Sequence, residues 1–453
     1  MVNLDYRMST GVIMVSWRQT KEIVETPALF TNFGATYSAA SCALEPVKGY
    51  PTLADYYVGT FTLPLGYRGE RSEFLKWKGV PEYRDQVPTD PNEDILVAAY
   101  NRFCADFDIP KRHRIEPYKG IPVAKGLSSS SASVLGPMFL VNELERRHRP
   151  FDGRYVPLNE VASEAIYFEH RRSGESIKVG VGRDDIYGGL YGGVVTITSS
   201  NIRLAPRLPD VVYLVMWHPE NRKISTEYGQ VMIEEYQVGD IAEEALYHSS
   251  MALSPVNHLD LSERQIRNII EERKPQMRRL TVGGYKAVQF GVLDRLFRTE
   301  GELKDIGGRE RTMQFIEHSN APMMPTLPRI RKQIYRLTEQ LYKNEGDYAS
   351  SMGIAVAIVG GGTAMGYIIP SWIAYEKSGE VNQALFAELT KRGEALHENI
   401  GLQRELTKFW IGKPSPHGTR IVGEIPEEIL GANPKVNPNM QSRQTELVGN
   451  GGK

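Results

Sequence analysis

The 453-residue chain has little cysteine, no excess of charge of either sign and no long apolar run. Its two cysteines, Cys42 and Cys104, are too few for a disulfide framework, which is typical of a protein in a reducing cytoplasm. A net charge of −1 gives no whole-chain argument for binding nucleic acid or a membrane surface. No apolar run approaches the ~20 residues that span a bilayer, and the first residues lack a signal-peptide core. These absences predict a cytoplasmic protein with a small-molecule partner, no nucleic acid and no membrane, and they leave a homodimer open.

The most distinctive segment is residues 121–136, where a glycine turn at Gly126 leads into the consecutive serines 128–131 and then an apolar helical pattern. The start of a helix presents unpaired N–H groups and the positive end of its dipole. Small residues before it let a phosphate approach closely. A serine-rich linker is the alternative, but a flexible linker has no reason to continue into an apolar helix. The segment favours a phosphate site, and it is not a Walker A loop because Lys125 precedes the glycine.

Two further glycine-rich segments accompany the serine loop. Residues 182–193 read Gly-Arg-Asp-Asp-Ile-Tyr-Gly-Gly-Leu-Tyr-Gly-Gly, and residues 353–366 contain an apolar run followed by three glycines. With these pieces in this order, the chain resembles the GHMP kinase superfamily, named for galactokinase, homoserine kinase, mevalonate kinase and phosphomevalonate kinase. Residues 122–132 are similar to that family's Pro-x-x-x-Gly-Leu-Gly-Ser-Ser-Ala-Ala loop, with Ser128 where glycine is usual.

The resemblance implies a two-domain α+β fold with the nucleotide cleft between the domains. Val211–Trp217 is predicted to be a buried strand near the start of the second domain. The predicted N-terminal ATP-binding domain covers 1–205 and contains the serine loop at 121–133 and a catalytic segment at 179–193. The predicted C-terminal domain covers 206–411 and contains a glycine-rich motif at 353–366. Residues 412–453 are predicted to be an extended or disordered tail.

The resemblance also implies ATP and Mg²⁺ as cofactors. The residues expected to bind the nucleotide are Lys125, Gly126, Leu127, Ser128, Ser129, Ser130, Ser131, Gly360, Gly361 and Gly362. By position, Ser130 and Glu169 would hold Mg²⁺, which prefers hard oxygen ligands and needs few from the protein when phosphates supply others. Glu164 is a substitute for Glu169, whose alternative role is that of an exposed helix acid paired with an arginine.

Asp185 is predicted to carry the chemistry, because it lies seven residues before Gly192, at the spacing of the family's catalytic aspartate. It would accept or orient the proton of the attacking hydroxyl. Asp184 is its rival, since adjacent residues of an extended chain point opposite ways. Arg183 or Arg172 would neutralise phosphate charge. The alternative interpretation makes both acids turn residues that cap backbone N–H groups.

One departure from the family pattern affects the expected reaction. Leu29 stands where the sugar and mevalonate kinases carry Lys or Arg, and Asn32-Phe33-Gly34 looks more like homoserine kinase or the mevalonate-pathway decarboxylases. The sequence predicts a phosphotransferase that moves the γ-phosphate of ATP to a hydroxyl of a small anionic metabolite. The favoured class is a mevalonate-type hydroxy acid or its phosphate, as in isoprenoid biosynthesis. An ATP-dependent decarboxylase of the same fold, a sugar or heptose-phosphate kinase and a non-catalytic metabolite sensor are the alternatives.

Overall fold

A computed structural model of the chain describes residues 17–32, 39–64, 95–109, 111, 113–123, 125–148, 155–172, 183–197, 202–204, 208–219, 261–265, 267–274, 345–359 and 364–431. These residues form an α+β fold with two antiparallel sheets, which confirms the predicted fold class. None of the helices in these ranges is both long enough and apolar enough to span a membrane.

In the first half of the chain, four strands come first, and helices and strands follow in mixed order. The strands are β1 (Trp17–Pro27), β2 (Leu29–Asn32), β3 (Ala39–Pro46), β4 (Ala54–Pro64), β5 (His113–Lys119), β6 (Val194–Ile197), β7 (Ile202–Leu204), β8 (Val211–Trp217), β9 (Ala355–Val359), β10 (Ala364–Pro370), β11 (Lys408–Pro414) and β12 (Arg420–Val422). The helices are α1 (Ile95–Asp106), α2 (Ser129–His148), α3 (Leu158–Arg172), α4 (Arg183–Tyr191), α5 (Gly346–Ser351), α6 (Ser371–Ala374), α7 (Gln383–Asn399) and α8 (Glu427–Gly431), and Arg404–Leu406 form a 3₁₀ turn.

The first sheet has the strand order β12-β1-β4-β5 and supports the serine helix α2. Helix and strand approach closely because glycine lies on both sides of the contact. A Cβ at Gly136 would lie 2.1 Å from the Tyr57 ring, and one at Gly59 would lie 2.7 Å from the Leu144 side chain. Helices α1 and α3 pack beside α2, and their apolar faces share one buried core with it. Because these two positions carry no side chain, α2 can pack closely against β4.

The second sheet has the order β7-β6-β3-β11-β8-β10-β9, with β2 paired to β3. Strand β11 joins β3 on one side to β8 on the other. Strand β12 pairs with β1 of the first sheet. The predicted tail is thus corrected for residues 412–431, which are built into both sheets and α8, because partners far away in the chain supply their ladder bonds. Residues 432–453 lie outside the described residues.

The second sheet also crosses the predicted domain boundary. Strand β8, which belongs to the predicted C-terminal domain, is joined through β11 to β3 of the predicted N-terminal domain. The division at residue 205 stays a prediction, and a continuous hydrogen-bonded sheet connects its two sides.

The centre of β11 offers a test of this arrangement. Trp410 is 1% exposed, and its indole lies against Gly412 and donates from Nε1 to the Pro51 carbonyl at 2.6 Å. The neighbouring Phe409 is 49% exposed, because successive strand residues point to opposite faces. We expect Trp410→Ala to lower the free energy of unfolding by about 3–5 kcal/mol and Phe409→Ala by less than about 1 kcal/mol, measured by urea denaturation. Equal losses would contradict the burial of this strand.

Candidate active site

The serine loop is a tight turn that ends at the first residue of α2. Gly126 has a φ of +82° and Ser128 a φ of +64°, both in the left-handed region. The N–H of Ala132 donates to the Ser128 carbonyl at 3.0 Å, which is the first helical bond. The N–H groups of Ser129, Ser130 and Ser131 precede that bond and belong to the first turn, where helices bind anions. Ser129 and Ser131 are buried, whereas Ser130 is exposed.

A buried carboxylate holds the chain that leads into this loop. Asp55, on β4, is fully buried and accepts from the N–H groups of Gly120 at 3.1 Å and Ile121 at 3.0 Å. It also forms an ion pair with Lys119, whose ammonium donates to Ser133 Oγ of α2 at 2.7 Å. One carboxylate therefore connects the first sheet, the approach to the loop and the serine helix.

Asp184 and Asp185 lie in the first turn of α4, where the sequence predicted an extended segment. In a helix, adjacent side chains diverge by about 100° rather than pointing to opposite sides. Ser128 Oγ donates to Asp185 Oδ1 at 2.7 Å, so this carboxylate lies beside the start of α2. The structure thus brings the serine loop and Asp185 together.

Helix α4 is held against β3 at the same turn. Ser41 Oγ donates to the Asp184 carbonyl at 2.7 Å. A Cβ at Gly188 would lie 2.1 Å from Ser41 Oγ, so this contact needs a residue without a side chain. Leu29, 1% exposed, has its Cδ1 3.5 Å from the same Cβ position and donates its N–H to the Leu127 carbonyl at 3.4 Å. Leu29, which stands where the sugar and mevalonate kinases carry Lys or Arg, is therefore buried as well as apolar.

The segment after β11 closes over the other end of α4. The N–H of Thr419 donates to the Gly189 carbonyl at 2.6 Å, and its hydroxyl donates to the same oxygen at 2.9 Å. The N–H of Gly193, where φ is +65°, donates to the Ser415 carbonyl at 2.8 Å. A Cβ at Gly192 would lie 2.3 Å from the backbone of His417. Gly192 is thus required by this contact, and the left-handed φ of Gly193 favours glycine at the next position.

Glu169, which is expected to hold Mg²⁺ together with Ser130, lies beside the serine helix. Ser131 Oγ donates to Glu169 Oε1 at 3.2 Å, one residue beyond Ser130. Glu164, one turn earlier on α3, faces α1, where its carboxylate lies 3.6 Å from Arg102 Nε. Burial and hydrogen bonding to Asp106 raise the pKa of Glu164 to about 7. The role of Glu164 as a substitute for Glu169 stays a prediction.

The acids of the site interact through their charges. Burial, followed by the negative charge of Asp185, raises the pKa of Asp184 to about 8, with a smaller contribution from Glu169. The backbone N–H groups at the start of α4 oppose this shift. The raised pKa favours the protonated form of Asp184 at neutral pH, because burial disfavours its charge and the charge of Asp185 repels it. Among the described residues, no group of three or more His, Cys, Asp or Glu side chains could hold a metal ion.

Other predicted residues have mixed outcomes. Arg183 is exposed at the start of α4. Lys125 is buried, and its ammonium donates to the Pro219 carbonyl at 2.9 Å, just beyond β8. Its nucleotide-binding role stays a prediction. Gly360, Gly361 and Gly362 lie outside the described residues.

Sequence reasoning missed three residues that position the site, namely Asp55, Ser41 and Thr419. Asp55 had one usable signal, since it is an acid within the otherwise apolar and aromatic run Ala-Asp-Tyr-Tyr-Val. A lone acid in a buried strand requires partners for its charge. Ser41 and Thr419 act through single contacts with α4, and no local pattern marks them.

The central part of this site lies within a segment that matches a known protein family. Residues 94–193, which include the serine loop, Glu169 and the α4 acids, match the family described as GHMP kinases N terminal domain. The predicted resemblance to the GHMP kinase superfamily is therefore confirmed over residues 94–193.

Solved structures of such proteins align with most of the chain at low identity. Homoserine kinase from Cytophaga hutchinsonii is 13% identical, with 89% of this chain and 97% of that chain covered and a TM-score of 0.44. Mevalonate kinase from Methanococcus jannaschii is 14% identical, with 87% and 99% covered and a TM-score of 0.45. Mevalonate pyrophosphate decarboxylase from Streptococcus pyogenes is 11% identical, with 90% and 98% covered and a TM-score of 0.42. All three scores lie below 0.5 and are too low to decide anything about this chain's substrate.

The raised pKa of Asp184 predicts a specific dependence of stability on pH. The folded chain binds this proton more tightly than the unfolded chain, so the stabilisation is complete below the unfolded pKa near 4 and is lost as the pH rises through about 8. Asp184→Asn keeps the neutral form at every pH. We expect the melting temperature of the wild type to fall between pH 6 and pH 9 by about 2–5 °C more than that of Asp184→Asn.

Differential scanning fluorimetry across this range measures both chains. Glu398→Gln, at an exposed acid on α7, is the matched control and should follow the wild type. Parallel curves for the wild type and Asp184→Asn would show that Asp184 is ionised in the folded state.

Proposed function

We propose that the chain is an ATP- and Mg²⁺-dependent kinase that transfers the γ-phosphate to a hydroxyl of a small anionic metabolite. The observation that carries the proposal is the 2.7 Å hydrogen bond from Ser128 Oγ to Asp185 Oδ1. It places an acid beside a helix N-terminus that is suited to phosphate. The two groups that hydroxyl phosphorylation needs, an anion cradle and a proton acceptor, thus adjoin.

The phosphate chain would lie at the start of α2. The N–H groups of the first turn and the helix dipole favour negative charge there. The left-handed backbone at Gly126 and Ser128 turns the chain sharply before the helix. The buried Asp55 network keeps these donors in place before the nucleotide arrives, so little reorganisation is needed.

Asp185 would act on the acceptor. The acceptor oxygen attacks the γ-phosphorus, the bond from that phosphorus to the β–γ bridging oxygen breaks, and ADP leaves. The hydroxyl proton passes to the Asp185 carboxylate. Asp184 is an unsuitable proton acceptor at neutral pH, because it already carries a proton there. Its role is to limit the negative charge of the site.

The residues beside α2 fit a Mg²⁺ ion. Ser131 and Glu169 present a hydroxyl and a carboxylate within hydrogen-bond distance of each other, and exposed Ser130 adjoins them. Hard oxygen donors of this kind, few in number, suit Mg²⁺ when phosphates complete its shell. When bound, the ion would neutralise phosphate charge that the acids of the site otherwise repel.

A mevalonate-type hydroxy acid or its phosphate is the proposed acceptor class, supported by the resemblance of the sequence motifs to a superfamily that includes mevalonate kinase. An ATP-dependent decarboxylase is the second candidate. It is favoured by Leu29, which is buried against Gly188 and so offers the acids no positive charge from that position. The two candidates differ in whether CO₂ is released.

We expect the purified chain to release ADP from ATP in the presence of Mg²⁺ and a hydroxy acid, without CO₂. The assay uses a panel of hydroxy acids, their phosphates and sugars, with ADP and CO₂ followed together. Release of CO₂ would support the decarboxylase instead. Nucleotide binding without turnover of any acceptor would support a sensor and contradict both enzymes.

Asp185→Asn should lower kcat by about 10²–10⁴-fold, because the proton acceptor is lost. ATP binding should change little, since the backbone donors of α2 are intact. Isothermal titration with a non-hydrolysable ATP analogue checks this second point. Full activity of Asp185→Asn would refute the assignment of Asp185.

The Mg²⁺ hypothesis has its own test. Glu169→Gln should raise the Mg²⁺ concentration for half-maximal activity by about 10-fold or more, because a charged oxygen ligand is lost. Glu160→Gln, at an exposed acid in the first turn of the same helix, is the matched control and should not change it. Comparing Ser130→Ala with Ser131→Ala then identifies which hydroxyl accompanies Glu169. An unchanged Mg²⁺ dependence in Glu169→Gln would contradict the proposed site.

A further inference from the structure

Ser128 has a backbone conformation that its residue type disfavours. Its φ of +64° lies in the left-handed region, where a Cβ is crowded and glycine is preferred. Among the described residues, Asp108 is the other non-glycine residue with positive φ. Gly126, two residues earlier in the same turn, has the same backbone sign and is a glycine. Strain of this kind persists where the surrounding contacts enforce it, and it concentrates at functional sites.

The contact that accompanies this strain is the hydrogen bond to Asp185. The hydroxyl is one bond from Cβ, so the turn limits its oxygen to the three staggered χ1 positions. Ser128 is 7% exposed, and its Oγ donates to Asp185 Oδ1 at 2.7 Å, which is typical of a hydroxyl bound to a carboxylate. Glycine would relieve the strain and lose this donor. The sequence therefore keeps a side chain where the backbone disfavours one, and that side chain reaches the predicted catalytic acid.

The carboxylate that it reaches belongs to a helix turn held from a second direction. Ser41 Oγ binds the Asp184 carbonyl at 2.7 Å from the β3 side, while Ser128 acts from the side of the loop. A neutral hydroxyl orients a carboxylate without cancelling its charge, unlike a lysine or arginine. Leu29, the nearby buried side chain against Gly188, is apolar and cannot donate.

We propose that Ser128 is a positioning residue, which orients the Asp185 carboxylate toward the acceptor hydroxyl and couples that orientation to the phosphate-binding turn. This inference rests on the proposed kinase function. Because the same turn carries the backbone donors for phosphate, the carboxylate and the phosphate cradle keep a fixed relative position. A small displacement of a reacting group lowers the rate about 10²-fold.

The test separates the hydroxyl from the strain with two variants. Ser128→Ala keeps the Cβ and loses the hydroxyl, whereas Ser128→Gly loses both. We expect both variants to lower kcat by about 10–100-fold with the KM for ATP changed less than about 3-fold. Ser128→Gly should melt at a higher temperature than Ser128→Ala, because only the glycine relieves the strain. Asp108→Gly, a strained residue outside the site, is the control and should keep the wild-type kcat.

A merely structural role makes a different prediction. Activity would then follow stability, so that Ser128→Gly would equal or exceed the wild type in kcat and Ser128→Ala would fall below it. That result would overturn the proposal. A double-mutant cycle adds a second criterion, since Ser128→Gly should have little further effect on kcat in Asp185→Asn if it acts through Asp185. Additive losses would also overturn it.

The outcome distinguishes this inference from the function on which it rests. A wild type that phosphorylates an acceptor, together with unaffected Ser128 variants, would refute the positioning role and leave the kinase intact. A wild type that turns over no acceptor would refute the kinase and the positioning role together. A thermal-stability cycle of Ser128→Ala and Asp185→Ala, measured without substrate, would then still report whether the two side chains are coupled in the fold.

Discussion

The site depends on one buried ion, the carboxylate of Asp55, which connects the first sheet to the phosphate loop. It receives the N–H groups of Gly120 and Ile121 and the ammonium of Lys119, which in turn binds Ser133 of α2. A buried charge that loses one partner typically destabilises a protein by about 3–5 kcal/mol, so these groups form and separate together. These contacts hold the approach to the loop against the first sheet and α2.

The second determinant is a surplus of negative charge. Asp184, Asp185 and Glu169 interact electrostatically, and one proton on Asp184 limits their repulsion at neutral pH. A cation bound nearby would favour the ionised form of this acid, so metal binding and proton release are linked. In the proposed kinase, Asp184 would hold a proton when no cation is bound and would release it when the cation binds. The hydroxyls of Ser128 and Ser131 donate hydrogen bonds to Asp185 and Glu169, which orients these carboxylates without adding charge.

Much of the site could be predicted because the decisive residues are contiguous in the chain. The serine loop, the acids before Gly192 and the strand Val211–Trp217 each have a local pattern, and the structure has a helix start, an acidic turn and a strand at those places.

The rest of the site depends on partners that are distant in the chain. Strand β11 contains glycine and proline and resembles a loop until β3 and β8 supply its ladder. Helix α4 contains paired glycines, which disfavour helix, and the contact of Ser41 at Gly188 explains why a glycine is needed there. The hydrogen bond from Ser131 to Glu169 depends on the rotation of α2, which no local pattern fixes.

The segment that closes over α4 also sets the order in which the molecule is assembled. Thr419 and Ser415 bind the end of α4, and β11 fills the gap between β3 and β8, yet these residues are synthesised more than 200 positions after α4. Contacts across such a separation form slowly. During synthesis β3 and β8 therefore present open strand edges, which are prone to pair with other chains. The contacts of Ser415 and Thr419 with the end of α4 are therefore completed only after β11 and the residues that follow it have been synthesised.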